Sequence, residues 1–270
     1  MQPKAGNTKM KAKKTLVHQP FLKGRAMSLF AARRGLKTFL YLLASAGLFF
    51  LMGQFLVLDI TWLRILLNAA VLVSLYAFMF RSGAQAGEGD VTIAEIALSR
   101  SAEGKVTTRE QIDRCFHPAK GFFTAFTGAL PLLVACLVFA FMTRESRYSL
   151  GTLPSWLSVF QERADIGLAL SYYSETTRLQ ALDFLRLLVR LLIFPYMNLA
   201  GAGDTAAVLL VERLSPLLLS VAPLSYGIGY SRGEHYRAMV HGGIAANKRK
   251  AARQQKKQQP PSNREPRQLV

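Results

Sequence analysis

Long apolar blocks separated by polar segments dominate the hydropathy pattern of this chain. One uncharged block covers residues 38–58, and a second of similar length covers 121–143. A helix needs about 20 apolar residues to cross a hydrocarbon core of about 30 Å. The pattern therefore predicts several membrane-spanning helices. We expect four spans, at residues 38–58, 62–80, 121–142 and 214–230.

The charge of the chain is concentrated at its two ends. The formal net charge is +18, from 34 Lys or Arg residues and 16 Asp or Glu residues. Residues 1–37 contain ten basic and no acidic residues, and residues 231–270 contain ten basic residues and two acids. The segment between the tails is neutral. Basic residues beside a span tend to stay in the cytoplasm, so both tails are predicted to be cytoplasmic, which requires an even number of crossings.

A fifth helix, predicted at about 179–200, differs from the four apolar spans because it is charged. Asp183, Arg186 and Arg190 recur at i, i+3 and i+7, which places them on one helix face. If this helix crossed the bilayer, residues 152–173 would have to cross as well. Charged residues near the bilayer centre cost about 2.5–3.5 kcal/mol each. Four crossings are therefore favoured, with the fifth helix at the outer interface.

The segment 81–120 carries six basic and six acidic residues and is predicted to be a small cytoplasmic helical insert. Capping-box patterns start at Thr92, with Glu95, and at Thr107, with Glu110. They indicate two short helices separated by a turn at Gly104. We expect these helices at about 92–102 and 108–116.

The predicted fold class is all-α, a polytopic transmembrane bundle with this small insert. The chain divides into a basic cytoplasmic N-terminal tail (1–37), a transmembrane hairpin (38–80), the insert (81–120), a kinked transmembrane bundle (121–230) with an extracytoplasmic segment (144–178), and a basic cytoplasmic C-terminal tail (231–270) that is disordered at its end. The connection near residue 59 is so short that the hairpin should be tight and antiparallel. Gln54 and Asn68 then lie at equal depth and are candidates for an interhelical hydrogen bond.

The strongest candidate site is a cluster of charges in the C-terminal bundle. Its members are Asp183, Arg186, Arg190, Glu212 and Arg213. Arg190 and Glu212 lie at similar distances from the predicted turn at 201–204, so we expect their side chains to approach each other. Ionisable residues within membrane segments either pair with one another or line a polar path. The cluster is therefore either a structural ion-pair network or part of an ion or substrate pathway.

A run of basic residues near the C-terminus is a candidate for contacts with anionic lipid headgroups. Such runs beside a span contribute about 1 kcal/mol of membrane attraction per basic residue. Contact with nucleic acid or the ribosome is the alternative. The residues are Lys248, Arg249, Lys250, Arg253, Lys256 and Lys257.

Motifs for catalysis, cofactors and metals are absent from the sequence. Cys115 and His117 supply two potential metal ligands where a closed site needs about four. We therefore expect no cofactor and no metal. The leading hypothesis is a non-enzymatic accessory, scaffold or assembly component of a membrane complex, located in the plasma membrane and in contact with lipid. Other membrane-protein subunits are further candidate partners. The alternative is a subunit of a transporter or channel that uses the charged cluster, and a membrane enzyme ranks third.

Overall fold

A computed structural model describes residues 16–58, 60–143, 153–160, 162–163, 165–170, 173, 181–200 and 205–258. Within these ranges the regular structure is helical and no strand occurs. The helices are α1 (Leu29–Leu56), α2 (Thr61–Ala102), α3 (Arg109–Arg114), α4 (Lys120–Met142), α5 (Gly167–Leu170), α6 (Ala181–Leu192), α7 (Phe194–Ala200), α8 (Thr205–Arg213), α9 (Ser215–Ser231) and α10 (Gly233–Gln258). The all-α fold class is confirmed.

Three of these helices, α1, α2 and α4, are long and apolar enough to cross a membrane. A fourth candidate is a bent pair, in which α8 meets the helical stretch from Ser215 onward at an angle of 50°. Many large apolar side chains on α1, α2 and α4 are exposed, including Leu51 and Phe141. Such exposure is expected where the surrounding solvent is lipid. The chain therefore has the helices typical of a membrane protein.

The tight hairpin predicted for the first two spans is not present. α1 packs on α4, α2 packs on α9, and α9 also packs on α4. An apolar cleft of about 370 Å³ lies between α1 and α2, which meet at the Tyr41 and Phe78 rings, with centroids 5.3 Å apart. Small residues explain the choice of partners: the Cα of Gly128 on α4 lies against the backbone of Gly35 on α1, with no room for a Cβ. Small residues that let two backbones approach closely are enriched where helices pair in membranes.

α2 is a single helix of 42 residues, about 63 Å long at 1.5 Å per residue. The separate helix predicted at 92–102 is therefore wrong. The Thr92 hydroxyl does not cap a helix; it donates to the Glu88 carbonyl within α2, at 3.0 Å. The second capping box lies one residue later than predicted, at Thr108 with Gln111. Between the two helices the chain turns at Gly104, whose φ is +76°.

The charged helix predicted at 179–200 is broken at Ile193 into α6 and α7. α6 has 12 residues and is about 18 Å long, so neither piece reaches the thickness of a bilayer core. Val189 and Ile193 are buried in the main core with Leu42 of α1 and Phe139 of α4. The predicted turn at 201–204 and most of the segment 144–178 lie outside the described residues.

Both basic tails contain more structure than predicted. Residues 16–27 are not helical and pack on the helices, since the backbone N–H of Leu22 donates to Ala94 and that of Gly24 donates to Phe116. α10 continues beyond α9 to Gln258, so the C-terminal tail is helical over most of its length. The predicted disordered end falls on residues 259–270, outside the described residues.

Candidate functional site

Two members of the predicted cluster, Arg190 and Glu212, meet. Arg190 Nε donates to Glu212 Oε1 at 2.6 Å, and the Thr143 hydroxyl donates to Glu212 Oε2 at 2.8 Å. The Glu212 side chain is only 3% exposed, whereas that of Arg190 is 39% exposed. Thr143 ends α4, so this ion pair joins α6 and α8 at one end of the bundle. A paired and hydrogen-bonded carboxylate is the arrangement expected for a buried structural charge.

The other three predicted members have different surroundings. The Arg186 guanidinium carbon lies 5.8 Å from the centroid of the Phe139 ring, and Arg186 Nε is buried without a hydrogen-bond partner in the described parts of the chain. Asp183 is exposed in the first turn of α6. Arg213 is exposed and lines an open cavity of about 650 Å³ with Leu217. Of the five predicted members, Arg190 and Glu212 are therefore the two that pair with each other among the described residues.

The most buried charged site lies elsewhere, around Asp90 in the second half of α2. Asp90 Oδ2 accepts hydrogen bonds from Arg34 Nη1 at 2.9 Å, from Lys120 Nζ at 3.1 Å and from the Tyr230 hydroxyl at 2.6 Å. The side chains of Asp90 and Lys120 are fully buried. These four residues, the Asp90 cluster, join α1, α2, α4 and α9. One carboxylate thus faces two cations, and the cluster carries an excess of one positive charge.

Glycines bring the four helices close enough for this cluster to form. Gly83 and Gly87 on α2 form a Gly-x-x-x-Gly pair, as do Gly229 and Gly233 on α9 and α10. Gly87 faces the backbone of Tyr230 and Gly233, and a Cβ added at any of these four glycines would overlap backbone atoms of the facing helix. Two such motifs facing each other are a typical close helix contact in membranes. The contact places the Tyr230 ring beside Asp90.

An aromatic ring lies beside the Asp90 cluster, and the hydrogen bonding of the cluster is incomplete among the described residues. The Phe30 ring has Arg34, Arg114 and Lys120 at 5.2, 5.3 and 5.5 Å from its centroid. Asp90 Oδ1 is shielded from solvent and has no hydrogen-bond partner among the residues described. Lys120 Nζ also donates to the Cys115 carbonyl at 3.1 Å. Burial raises the pKa of the Cys115 thiol above its ordinary value, more than the nearby Lys120 charge lowers it.

A third charged group joins α2 to α10. The Arg237 guanidinium donates twice to Glu95 Oε2, at 2.9 and 3.0 Å, and His241 Nε2 lies 2.8 Å from Glu95 Oε1. The N-terminal segment reaches the same place, because the Val17 N–H donates to the Ala238 carbonyl. The polar half of α2 is therefore fixed to α10, with the N-terminal segment laid against both helices.

Of the predicted amide pair, the structure describes the side chain of Asn68 but not that of Gln54. Asn68 is fully buried, and its amide nitrogen donates to the carbonyls of Leu56 and Arg64 at 3.1 and 2.8 Å. Its oxygen accepts from Asn198 Nδ2 on α7 at 3.3 Å. The Gln54 side chain lies outside the described residues. Among the described residues, Asn68 thus has partners on α1, α2 and α7.

The predicted lipid-contact residues all lie on α10, and those with described side chains are exposed. These are Lys248, Arg249, Lys250 and Arg253; the side chains of Lys256 and Lys257 are outside the description. Over the described residues, no group of three or more His, Cys, Asp or Glu side chains is arranged to hold a metal ion.

The Asp90 cluster was missed by sequence reasoning because its other members lie 30 to 140 residues from Asp90 in the chain. Asp90 lies in a mixed-charge segment, where one acid does not stand out. The available signal was the Gly-x-x-x-Gly spacing at Gly83 and at Gly229, which marks positions of close helix contact. No known family, curated protein or solved structure matches this chain.

Proposed function

We propose that this chain is a multi-pass protein of the plasma membrane with four crossings and both termini in the cytoplasm, and that it acts as a non-enzymatic scaffold or assembly component. The fourth crossing in this proposal is the bent pair of α8 and α9. The even count agrees with the two basic tails.

A rigid helical projection beyond the bilayer carries this proposal. α2 is about twice as long as a hydrocarbon core is thick. Its polar half, residues 16–28, α3 and α10 together form what we call the platform. Glu95, with Arg237 and His241, fixes α10 on α2 within the platform. A rigid surface of this kind is suited to holding a partner.

The direction of α10 supports a partner of acidic character. Gly233 lies against Gly87, and Arg237 and His241 lie beside Glu95, so α10 and α2 run in the same direction away from the bundle. Lys248 follows Gly233 by 15 residues, or about 22 Å. Attraction to anionic headgroups fades within about one Debye length of the surface. We therefore favour an acidic protein surface over lipid headgroups for this basic end, with ribosomal or other RNA as a further outcome of the test.

Site-specific photo-crosslinking in native membranes tests the scaffold proposal. A photoreactive residue at Ile244, which is exposed on α10, should yield one discrete protein adduct, and replacing Lys248, Arg249, Lys250 and Arg253 with Gln should remove it. The control is Leu51, an exposed side chain within the apolar part of α1. Equal adducts at both positions, or an adduct at Ile244 that survives the charge removal, would contradict the proposal.

Transport is the second candidate, because Arg186 Nε, one helical turn before Arg190 on α6, has no hydrogen-bond partner among the described residues. An intramembrane guanidinium with spare donors is typical of an anion path. Purified protein in proteoliposomes would then conduct anions, and Arg186→Gln would abolish the flux without loss of folding. Such a flux would replace the scaffold proposal.

A further inference from the structure

A pocket of about 290 Å³ lies between the start of α1 and α3, beside the Asp90 cluster but separate from it. Its lining residues are Leu29, Phe30, Arg33, Glu110, Asp113 and Arg114. The pocket thus combines two guanidinium groups, two carboxylates and an apolar floor.

The four charged side chains of this pocket do not neutralise one another. Among the described residues, none of the four forms an ion pair within 4.0 Å. The pocket therefore offers separate positive and negative positions to a ligand.

The position of Arg33 on α1 relates the pocket to the lipid. Leu29, Arg33, Leu36 and Leu40 recur at helical spacing, so they share one face of α1. The three leucines are 74%, 62% and 51% exposed. This face leads directly into the uncharged segment that begins at residue 38. An acyl chain lying along Leu36 and Leu40 would place its headgroup beside Arg33, about 4.5–10 Å further along the helix.

We propose that this pocket binds the headgroup of an aminophospholipid, which carries a phosphate and a primary ammonium group. Arg33 and Arg114 bind the phosphate, because guanidinium groups match phosphate oxygens in geometry and charge. Asp113 and Glu110 accept hydrogen bonds from the ammonium group. The lipid comes from the leaflet in contact with the basic tails. This inference goes beyond the scaffold proposal and does not depend on the identity of its partner.

The chemistry of the pocket predicts a ranking among phospholipids. Phosphatidylethanolamine has both groups, whereas phosphatidylcholine has a methylated ammonium without N–H donors, and phosphatidylglycerol has no ammonium. Native mass spectrometry of the full chain from micelles with equimolar amounts of the three lipids should show phosphatidylethanolamine retained about tenfold more strongly, as expected for one or two charge-assisted hydrogen bonds. Equal retention of the three lipids would overturn the proposal, and this comparison requires no variant.

Two variants separate the contributions of the ammonium and the phosphate to lipid retention, and a soluble competitor tests whether the ligand is a membrane lipid. Asp113→Asn should remove the preference for phosphatidylethanolamine while leaving phosphatidylglycerol retention unchanged, and Arg114→Gln should weaken retention of all three lipids. Glu103→Gln, at an exposed carboxylate paired with Lys105, is the matched control and should have no effect. A preference that persists in Asp113→Asn would overturn the assignment. Soluble phosphoethanolamine that displaces the lipid at equal concentration would show that the ligand is not a membrane lipid.

Discussion

Asp90 and Glu212 are two buried carboxylates that the chain stabilises in different ways. Among the described residues, Glu212 has one cation, Arg190, and one hydroxyl, and that cation is partly exposed. Asp90 has two cations and a phenol, one of the cations is fully buried, and the donors come from three other helices. Glu212 therefore joins neighbouring segments, whereas Asp90 holds the whole four-helix junction together.

This difference determines what is lost when each carboxylate is neutralised. Removing one partner of a buried pair leaves the other charge uncompensated in a low dielectric, and the cost depends on whether that charge can reach water. Arg190 can reach water by rotating its side chain, but Lys120 cannot. The Asp90 cluster should therefore be the more sensitive of the two sites.

Neutralising Asp90 should have the largest effect. Asp90→Asn leaves Lys120 buried without its counter-charge and should lower the free energy of unfolding by about 3–5 kcal/mol. Thermal unfolding of purified protein in detergent, with abundance in membranes as a second readout, measures this loss. Adding Lys120→Met should restore part of it. A melting temperature equal to that of wild type would show that the cluster is not the centre of the junction.

Neutralising Glu212 should cost less, about 1.5–3 kcal/mol, the usual value of a hydrogen bond to a charged group. Glu212→Gln tests this loss in the same unfolding assay. Arg190→Leu combined with Glu212→Leu should regain part of the loss, because the double variant also removes the desolvation penalty. If the double variant is less stable than either single variant, the ion-pair interpretation is refuted.

The close glycine contact that places Tyr230 beside Asp90 can be tested by comparing two glycines of α2. Gly87→Ala places a methyl group against the Tyr230 backbone and should cost about 1–3 kcal/mol by overpacking. Gly89→Ala, two residues along α2, meets open space and should be neutral or stabilising by about 0.5–1 kcal/mol. Similar melting temperatures for the two variants would contradict the close approach of α2 and α9.

The reactivity of the Cys115 thiol should depend on the Asp90 cluster and not on the Arg190–Glu212 pair. Its burial and raised pKa leave little accessible thiolate near neutral pH, so maleimide should label it at least about tenfold more slowly than an exposed cysteine. Labelling should rise only as the pH approaches the raised pKa. Asp90→Asn should speed the reaction, because the Asp90 charge helps to raise the pKa of the Cys115 thiol, while Glu212→Gln should not. Equal acceleration by both variants would mean that the two sites are not separate.

The sequence predicted the helical class and the apolar segments well because both depend on local composition. The helix predicted at 121–142 differs from α4 by one residue at its start. Likewise, the proximity of Arg190 and Glu212 follows from their distances to one turn. These features need only the residues on either side of a single connection.

Features that depend on distant parts of the chain were not predicted. Nothing local indicates that α2 continues through residues 81–102, because Thr92 and Glu95 form a capping pattern yet bind Glu88 and α10 instead. Asp90 meets Tyr230 across 140 residues. The packing of α1 on α4 and of α2 on α9, instead of α1 on α2, likewise depends on glycines of α4 and α9. A single sequence does not specify where those glycines lie in space.

The central claim is that the protein crosses the membrane four times and that its platform lies in the cytoplasm. Labelling from outside intact cells tests this claim most directly. In a background without Cys115 and Cys136, single cysteines replace Ser101 at the end of α2, Ala251 on α10, and Ser155, all of which are exposed. An impermeant maleimide should label Ser155→Cys in intact cells, and should label Ser101→Cys and Ala251→Cys only after permeabilisation. Labelling of either platform position in intact cells, or no labelling of Ser155→Cys, would contradict the four-crossing account.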